Sequence, residues 1–145
     1  MRVDHILHDK GSFVATVDPS ASLLEVTCAL AAHDVGALVV SRDGASIDGI
    51  VSERDLARAV AQRGAAALVE PVTTAMSTDV RTCRADDTVD SLAATMTAQR
   101  VRHLPVVDGA GLLAGIVSIG DVVKHRLGEL ETENGTLHAY LHSGR

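Results

Sequence analysis

A chain that repeats one polar pattern at a fixed spacing folds either as like halves or as an array, and this chain carries such a pattern twice. Gly49-Ile50-Val51-Ser52-Glu53-Arg54-Asp55 returns as Gly115-Ile116-Val117-Ser118-Ile119-Gly120-Asp121, 115 − 49 = 66 residues later in a chain of 145. In both copies an apolar, strand-like run ends in a hydroxyl, and a carboxylate follows three residues on, where a helical pattern starts. Ser-x-x-Asp is a relative of the capping box, in which the hydroxyl takes an orphan N–H of the first turn and the acid favours the helix N-terminus. Capping alone accounts for serine and acid, but it does not demand the same Gly-Ile-Val in front of them. Capping combined with ligand binding is the other reading, and the two are compatible because free N–H groups at a helix N-terminus attract anions.

Around this pair the chain reads as two passes through one unit. Residues 3–7 suggest a short leading helix, with a turn at Lys10-Gly11, and residues 14–17 a brief strand closed by Asp18-Pro19. A helix follows over 22–33, opened by Ser22 and Glu25 as a capping box, with Leu23, Val26 and Leu30 at helical spacing. Strands over 37–40 and 47–51 flank a turn at Arg42-Asp43-Gly44, and a helix over 53–63 presents Leu56, Ala59 and Val60 before Gly64 stops it. After a link over 65–71 and a helical turn over 72–76, the pattern returns without a gap at 80–82, 88–99, 104–107 and 112–117.

A unit this small cannot cover both faces of its sheet, so two copies must dock. The expected fold class is α/β (α+β): two pseudo-symmetric β-α-β-β-α repeats packed through their sheets, over 8–65 and 73–130, with a helical tail over 131–145. The last helix starts near Ile119 and reaches Leu127 or beyond, with interruptions at Gly128 and Gly135. Its Leu127, Leu130, Leu137 and Leu141 stand near helical spacing, a stripe that packs on the same chain or on a second copy.

Composition narrows the function classes. A chain of this length buries roughly 68–70% of its unfolded surface, and here the core must be aliphatic, because Phe13 and Tyr140 are the only aromatics and Trp is absent. A bound purine would therefore be gripped by aliphatic faces. Thirteen basic against nineteen acidic residues give a net charge of −6, which argues against nucleic acid as a partner. The longest apolar run, 35–40, is far short of the roughly 20 residues of a membrane span, and Asp4, His5 and Asp9 stand where a signal peptide would be apolar. A cytoplasmic protein without membrane contact is expected.

Cys28 and Cys83 are isolated and read as buried thiols, not metal ligands. His138 and His142, four apart, could face a metal together; lacking a carboxylate at useful spacing, they read as an exposed polar face. Gly109-Ala110-Gly111 with Gly115 imitates a dinucleotide fingerprint but lies between two strands, so it reads as a hairpin turn. Asp86-Asp87 reads as a helix start.

With Val101-Arg102-His103-Leu104-Pro105-Val106-Val107-Asp108 and Val35-Gly36-Ala37-Leu38-Val39-Val40 added to the two Gly-Ile-Val-Ser motifs, the chain resembles the tandem CBS domain, or Bateman module, in a form with no enzyme or transporter domain attached. The resemblance implies a cleft between the repeats that holds up to two adenosyl ligands such as AMP, ADP, ATP, NAD or S-adenosylmethionine. It implies that Asp55 or Asp121 accepts ribose hydroxyls, as acids do in other nucleotide folds. It also implies that backbone groups at Thr16-Val17 and Thr82-Cys83 read the adenine edge. One site would unite Ser52, Arg54 and Asp55 with Thr82, Cys83, Arg102, His103 and Pro105; its mirror would unite Ser118 and Asp121 with Thr16, Val17, Gly36 and Ala37. The repeats differ where Gly36-Ala37 faces Arg102-His103 and where Gly120 answers Arg54, so the positive charge is expected to converge on the Asp55 site. That site should then favour a phosphorylated ligand, since charge-assisted bonds are about twice as strong as neutral ones.

The function expected is a non-enzymatic sensor, a homodimer whose state is read by a downstream protein partner. A small nucleotide-acting hydrolase is the competing class, disfavoured because the sequence offers neither a nucleophile with an adjacent base nor a metal cluster. A ligand-free structural oligomerisation scaffold is the third.

Overall fold

Each half of the chain builds one three-stranded sheet, and the two sheets share one register. The protein is described by a computed structural model over residues 1–143, without the side chains of 138–140, 142 and 143. In order, the elements are α1 (Val3–Lys10), β1 (Thr16–Val17), α2 (Leu23–His33), β2 (Ala37–Val40), β3 (Gly49–Ser52), α3 (Glu53–Arg63), β4 (Cys83–Arg84), α4 (Val89–Gln99), β5 (His103–Val107), β6 (Leu113–Ser118) and α5 (Ile119–Ser143), with short 3-10 turns at Gly64–Val69 and Val72–Thr74 between the halves. β1 runs parallel to β2 with Val17 opposite Val40, and β3 antiparallel with Ala37 opposite Ser52. Adding 66 to each number gives the second sheet, Cys83 opposite Val106 and His103 opposite Ser118.

Local chemistry sets the helix ends in matched fashion. Ser22 and Thr88 cap α2 and α4 by accepting from the N–H groups of Glu25 and Ser91. Both helices then stop in the left-handed region without glycine, at Asp34 (φ 53°) and Arg100 (φ 55°), again 66 apart. The Gly109-Ala110-Gly111 segment is a turn between β5 and β6, where the Asp108 carboxylate accepts from the N–H groups of Ala110 and Leu112.

Three expectations are corrected. The first strand of each half is only two residues long, and β4 begins at Cys83 instead of running over 80–82, because only Cys83 and Arg84 pair with β5 and residues 80–82 have no ladder partner. α1 runs to Lys10 instead of ending near residue 7. α5 is continuous for 25 residues through Gly128 and Gly135, although glycine in a helix interior costs about 1 kcal/mol relative to alanine.

The core is two aliphatic clusters. Leu38, Val40 and Val51 of the first sheet pack against Leu23, Val26 and Leu30 of α2, and Val72 completes them. Leu104, Val106 and Val117 of the second sheet pack against Leu92 and Met96 of α4, completed by Val3 and Ile6 of α1. Each segment that precedes a half in sequence therefore packs on the other half. The two crossings match at an offset of 72 − 3 = 69: Val72 N–H donates to Ala21 O at 2.7 Å, and Val3 N–H to Asp87 O at 2.9 Å.

These crossings explain the glycine of the repeated motif. A Cβ at Gly49 would lie 2.7 Å from Met76 Sδ and 2.9 Å from Ser77 O, and one at Gly115 would lie 2.7 Å from Leu7 Cδ2. Leu7 and Met76 are themselves 69 apart. The opposite strand faces carry Ala37, Val39 and Pro105, all buried although they point away from the clusters, as alternation requires. The other half covers them, so the halves meet through their sheets, and a backbone bond from Leu113 N–H to Ala45 O crosses the seam at 2.8 Å.

Candidate functional site

The repeated serine and aspartate form two frames of one design. In the first, Ser52 N–H and Oγ donate to Asp55 Oδ2 at 2.9 and 3.0 Å, and Asp55 N–H returns a bond to Ser52 Oγ at 3.3 Å, a complete capping box. In the second, Ser118 N–H donates to Asp121 Oδ2 at 2.8 Å, and Asp121 N–H to Ser118 Oγ at 3.2 Å. Backbone ties hold each helix start on its strand neighbour: Glu53 N–H to Gly36 O at 3.0 Å, and Ile119 N–H to Arg102 O at 2.8 Å.

The environments of the two acids differ. Lys10, at the end of α1, donates to Asp121 Oδ2 at 2.7 Å and to Ile116 O at 3.0 Å. Burial alone would raise the Asp121 pKa, but the bonds from Lys10 and Ser118 outweigh it and hold the carboxyl below the usual range. The expectation that positive charge converges on the Asp55 site alone is thus incomplete. Lys10 crosses 111 residues of sequence to reach the other acid, a contact that exists only because α1 packs on the second half.

Among the described residues Asp55 has no such cation, and it opens onto a cavity of about 550 Å³. Gly36, Ala37, Ser52, Glu53, Arg54 and Asp55 line it from the first half, and Val101, Arg102 and His103 from the second. Arg58 and Arg100 line it as well, and all four arginines are exposed. Four arginines against Glu53 and Asp55 give this lining a charge of 4 − 2 = +2 in a chain of net charge −6. Among the described residues none of the four has a carboxylate within salt-bridge distance.

Gly36 and His103 meet at the seam, where a Cβ on Gly36 would come within 3.2 Å of the imidazole Cε1. Burial lowers the His103 pKa, aided by Lys10 and Arg102 and opposed by Glu53 and Asp121.

A larger cavity, about 780 Å³, lies between α1 and α5 and includes Lys10, Asp121, His125, Arg126 and Glu129. Part of its charge is paired, Lys10 with Asp121, Arg126 with Glu129 and with Asp90 of α4, and His125 beside Glu129 at 3.4 Å, and its four carboxylates outnumber its Lys and Arg side chains. The smaller cavity, with its unpaired arginines, is the better anion site.

Of the residues expected around Asp55, the structure places Ser52, Arg54, Arg102 and His103 on one cavity. Thr82, Cys83 and Pro105 lie outside its lining. Cys83 is buried in the second core, its thiol pushed up to about 12 by burial and by Asp87. Gly36 and Ala37, expected with Asp121, line the Asp55 cavity instead, because the β2–β3 pairing sets Ala37 directly opposite Ser52. Thr16 and Val17 sit on β1 and line neither cavity.

Arg58 and Arg100 were missed. Arg58 is one helical turn beyond Arg54, a spacing open to view; Arg100 owes its place to the left-handed cap of α4, which no local pattern announces. Cys28 is exposed, contrary to expectation, on the outer face of α2. The side chains of His138 and His142 lie outside the described residues. Among the described residues no cluster of three metal-ligating side chains occurs, and no helix is long and apolar enough to cross a membrane.

Comparison with known proteins agrees with this architecture. A CBS-domain containing protein from Agrobacterium tumefaciens is 47% identical in sequence and superposes with a TM-score of 0.83 over 87% of this chain and 99% of that one. A CBS domain protein from Pyrobaculum aerophilum, solved complexed with AMP, is 32% identical with a TM-score of 0.75 over 83% of this chain and 89% of that one. The CBS domain-containing protein CBSX3, mitochondrial, of Arabidopsis thaliana is 35% identical over 116 residues, 77% of this chain; the match spans 56% of the Arabidopsis protein's length. The family model of the CBS domain matches twice, at residues 12–62 and 69–128. The chain belongs to the CBS-domain family, as a tandem pair.

Proposed function

We propose that this CBS pair is a regulatory module without catalytic activity of its own, and that it binds a phosphorylated adenosine ligand in the cavity beside Asp55. The observation that carries the proposal is the convergence of Arg54, Arg58, Arg100 and Arg102, without carboxylate partners, on a cavity that also holds an aspartate at a helix N-terminus. Asp55 makes its capping bonds through Oδ2, which leaves Oδ1 to accept ribose hydroxyls. The phosphate lies among the guanidiniums. AMP, found in the Pyrobaculum relative, is the first ligand to test, with ADP, ATP and NAD of the same charge type. S-adenosylmethionine, whose sulfonium is cationic, suits a lining of charge +2 less well.

Because the cavity takes residues from both halves, a bound nucleotide favours the packing of the seam that places Gly36 and His103 around it, and a partner protein reads the shifted population. Isothermal titration of AMP and adenosine into wild type and Arg102→Ala tests the site. Charge-assisted bonds are worth about 1.5–3 kcal/mol, and Arg102 is exposed, so AMP should weaken by about three- to tenfold while adenosine is unchanged. Equal weakening of both would remove the phosphate from this place. Incubation with ATP or NAD should return the nucleotide intact, and product would favour the hydrolase instead.

A further inference from the structure

We infer that α5 pairs with α5 of a second copy as a parallel two-stranded coiled coil. Val123, Leu127, Leu130, Asn134, Leu137 and Leu141 follow one another at intervals of four, three, four, three and four along the uninterrupted helix. The five apolar members are between 51% and 60% exposed. A strict three-four stripe is the narrow seam of a coiled coil, in contrast to the broader face a helix turns to a globular core. The core-facing side of α5 is elsewhere: Val122 is buried in the second cluster, and Arg126 reaches Asp90 on α4. At 100° per residue the stripe is centred roughly 80° around the helix from the side that carries Val122 and Arg126.

Gly128 and Gly135 are seven apart and fall outside the seam at one heptad position. Each costs about 1 kcal/mol of helix stability, so the length of α5 beyond the globular body calls for a partner along its stripe.

Two features choose the orientation. Counting Leu127 and Leu141 as a positions and Val123, Leu130 and Leu137 as d positions puts Asn134 at a. In a parallel pair the two Asn134 amides face each other and can bond; in an antiparallel pair a faces d, and each amide would be buried against a leucine with no partner. Charges agree. Arg126 stands at g and Glu131 at the e position five residues on, so a parallel pair sets Arg126 of one chain beside Glu131 of the other. Arg126 also holds Asp90 and Glu129, and its five donors allow a third acceptor.

Sedimentation equilibrium of the full chain should give twice 15.1 kDa. The exposed pair Leu130→Lys and Leu137→Lys together should give the monomer mass with an unchanged melting profile of the globular body. Leu137→Cys, in a Cys28→Ser background, should cross-link to its copy under mild oxidation, since only the parallel register sets residue 137 against itself. Asn134→Leu should lose the single dimeric state and populate larger assemblies. A monomeric wild type, a double-lysine variant that stays dimeric, or a Leu137→Cys chain that fails to cross-link would each overturn the inference. These readouts do not depend on nucleotide, so they stand or fall apart from the proposed ligand site.

Discussion

Alanine at the two motif glycines should have unequal costs, although sequence makes them equivalent. At Gly49 the new Cβ meets Met76 Sδ at 2.7 Å and Ser77 O at 2.9 Å. The Ser77 carbonyl cannot withdraw cheaply, because Ile50 and Ser77 exchange both backbone bonds at 2.9 Å. At Gly115 the contacts are Leu7 Cδ2 at 2.7 Å and Cδ1 at 3.2 Å, the far end of a half-buried side chain that can turn aside. Forcing a methyl into a packed site costs about 1–3 kcal/mol, and replacing a strand glycine regains roughly 0.5–1 kcal/mol of chain entropy. Gly49→Ala should therefore lose about 1–2 kcal/mol, while Gly115→Ala stays within about 0.5 kcal/mol of wild type. In melting temperature the first loss is roughly 2–8 °C. With no Trp in the chain, far-UV circular dichroism during urea unfolding is the suitable signal. A Gly49→Ala protein as stable as wild type, or a Gly115→Ala protein equally damaged, would refute the assignment of these glycines to the crossing segments.

Lys10→Gln should release Asp121 yet leave the AMP stoichiometry measured by calorimetry at one per chain, because Asp9, Asp121, Glu129 and Glu133 then face only Lys124 and Arg126; a second AMP per chain would contradict the placing of the phosphate among the arginines. Because the Asp121 pKa is depressed in the fold, its contribution to stability is present above its unfolded value near 3.9 and is lost as pH falls through the folded value, so the stability gap between wild type and Lys10→Gln should shrink in acid. Burial depresses the His103 pKa as well, so below about pH 6.5 the unfolded chain takes up the proton first and stability falls. His103→Asn should flatten the melting temperature between pH 5 and 7, and an unchanged slope would contradict the buried imidazole. At pH 8 iodoacetamide should label the exposed Cys28 and spare Cys83, whose thiol is pushed up to about 12, and two adducts per native chain would contradict its burial.

What the sequence disclosed was whatever local chemistry and periodicity determine. The offset of 66 is the sheet register itself, since Ala37 opposite Ser52 becomes His103 opposite Ser118. Ser52, Arg54 and Asp55 were legible as a frame because a capping box is written in four consecutive residues. Contacts made by exchange were hidden: Val3 and Ile6 complete a core that starts some 80 residues downstream, and nothing near Lys10 names Asp121. Gly36 and Ala37 line the Asp55 cavity through the β2–β3 ladder, which the symmetry of the halves does not reveal, and α5 runs on through glycines whose propensity alone predicts breaks.

The two frames are alike in backbone and opposite in charge, and the reason lies in what each position must satisfy. Serine, aspartate and the preceding glycine are held by capping and by a close crossing, so both halves keep them. Charge around the frames is under no such packing demand. At matched positions Arg54 stands against Gly120, Arg100 against Asp34 and Arg102 against Gly36, while Lys10, at the 69-residue offset of the crossing segments, stands against Asp79. One aspartate is consequently locked to α1 by an ion pair, and the other is left open among unpaired arginines. His103 joins the two, since its proton affinity answers to Glu53 from the open frame and to Lys10 and Asp121 from the locked one. An anion that settles among the arginines must raise that proton affinity, so occupancy of the open frame is felt at a group that also faces the locked one.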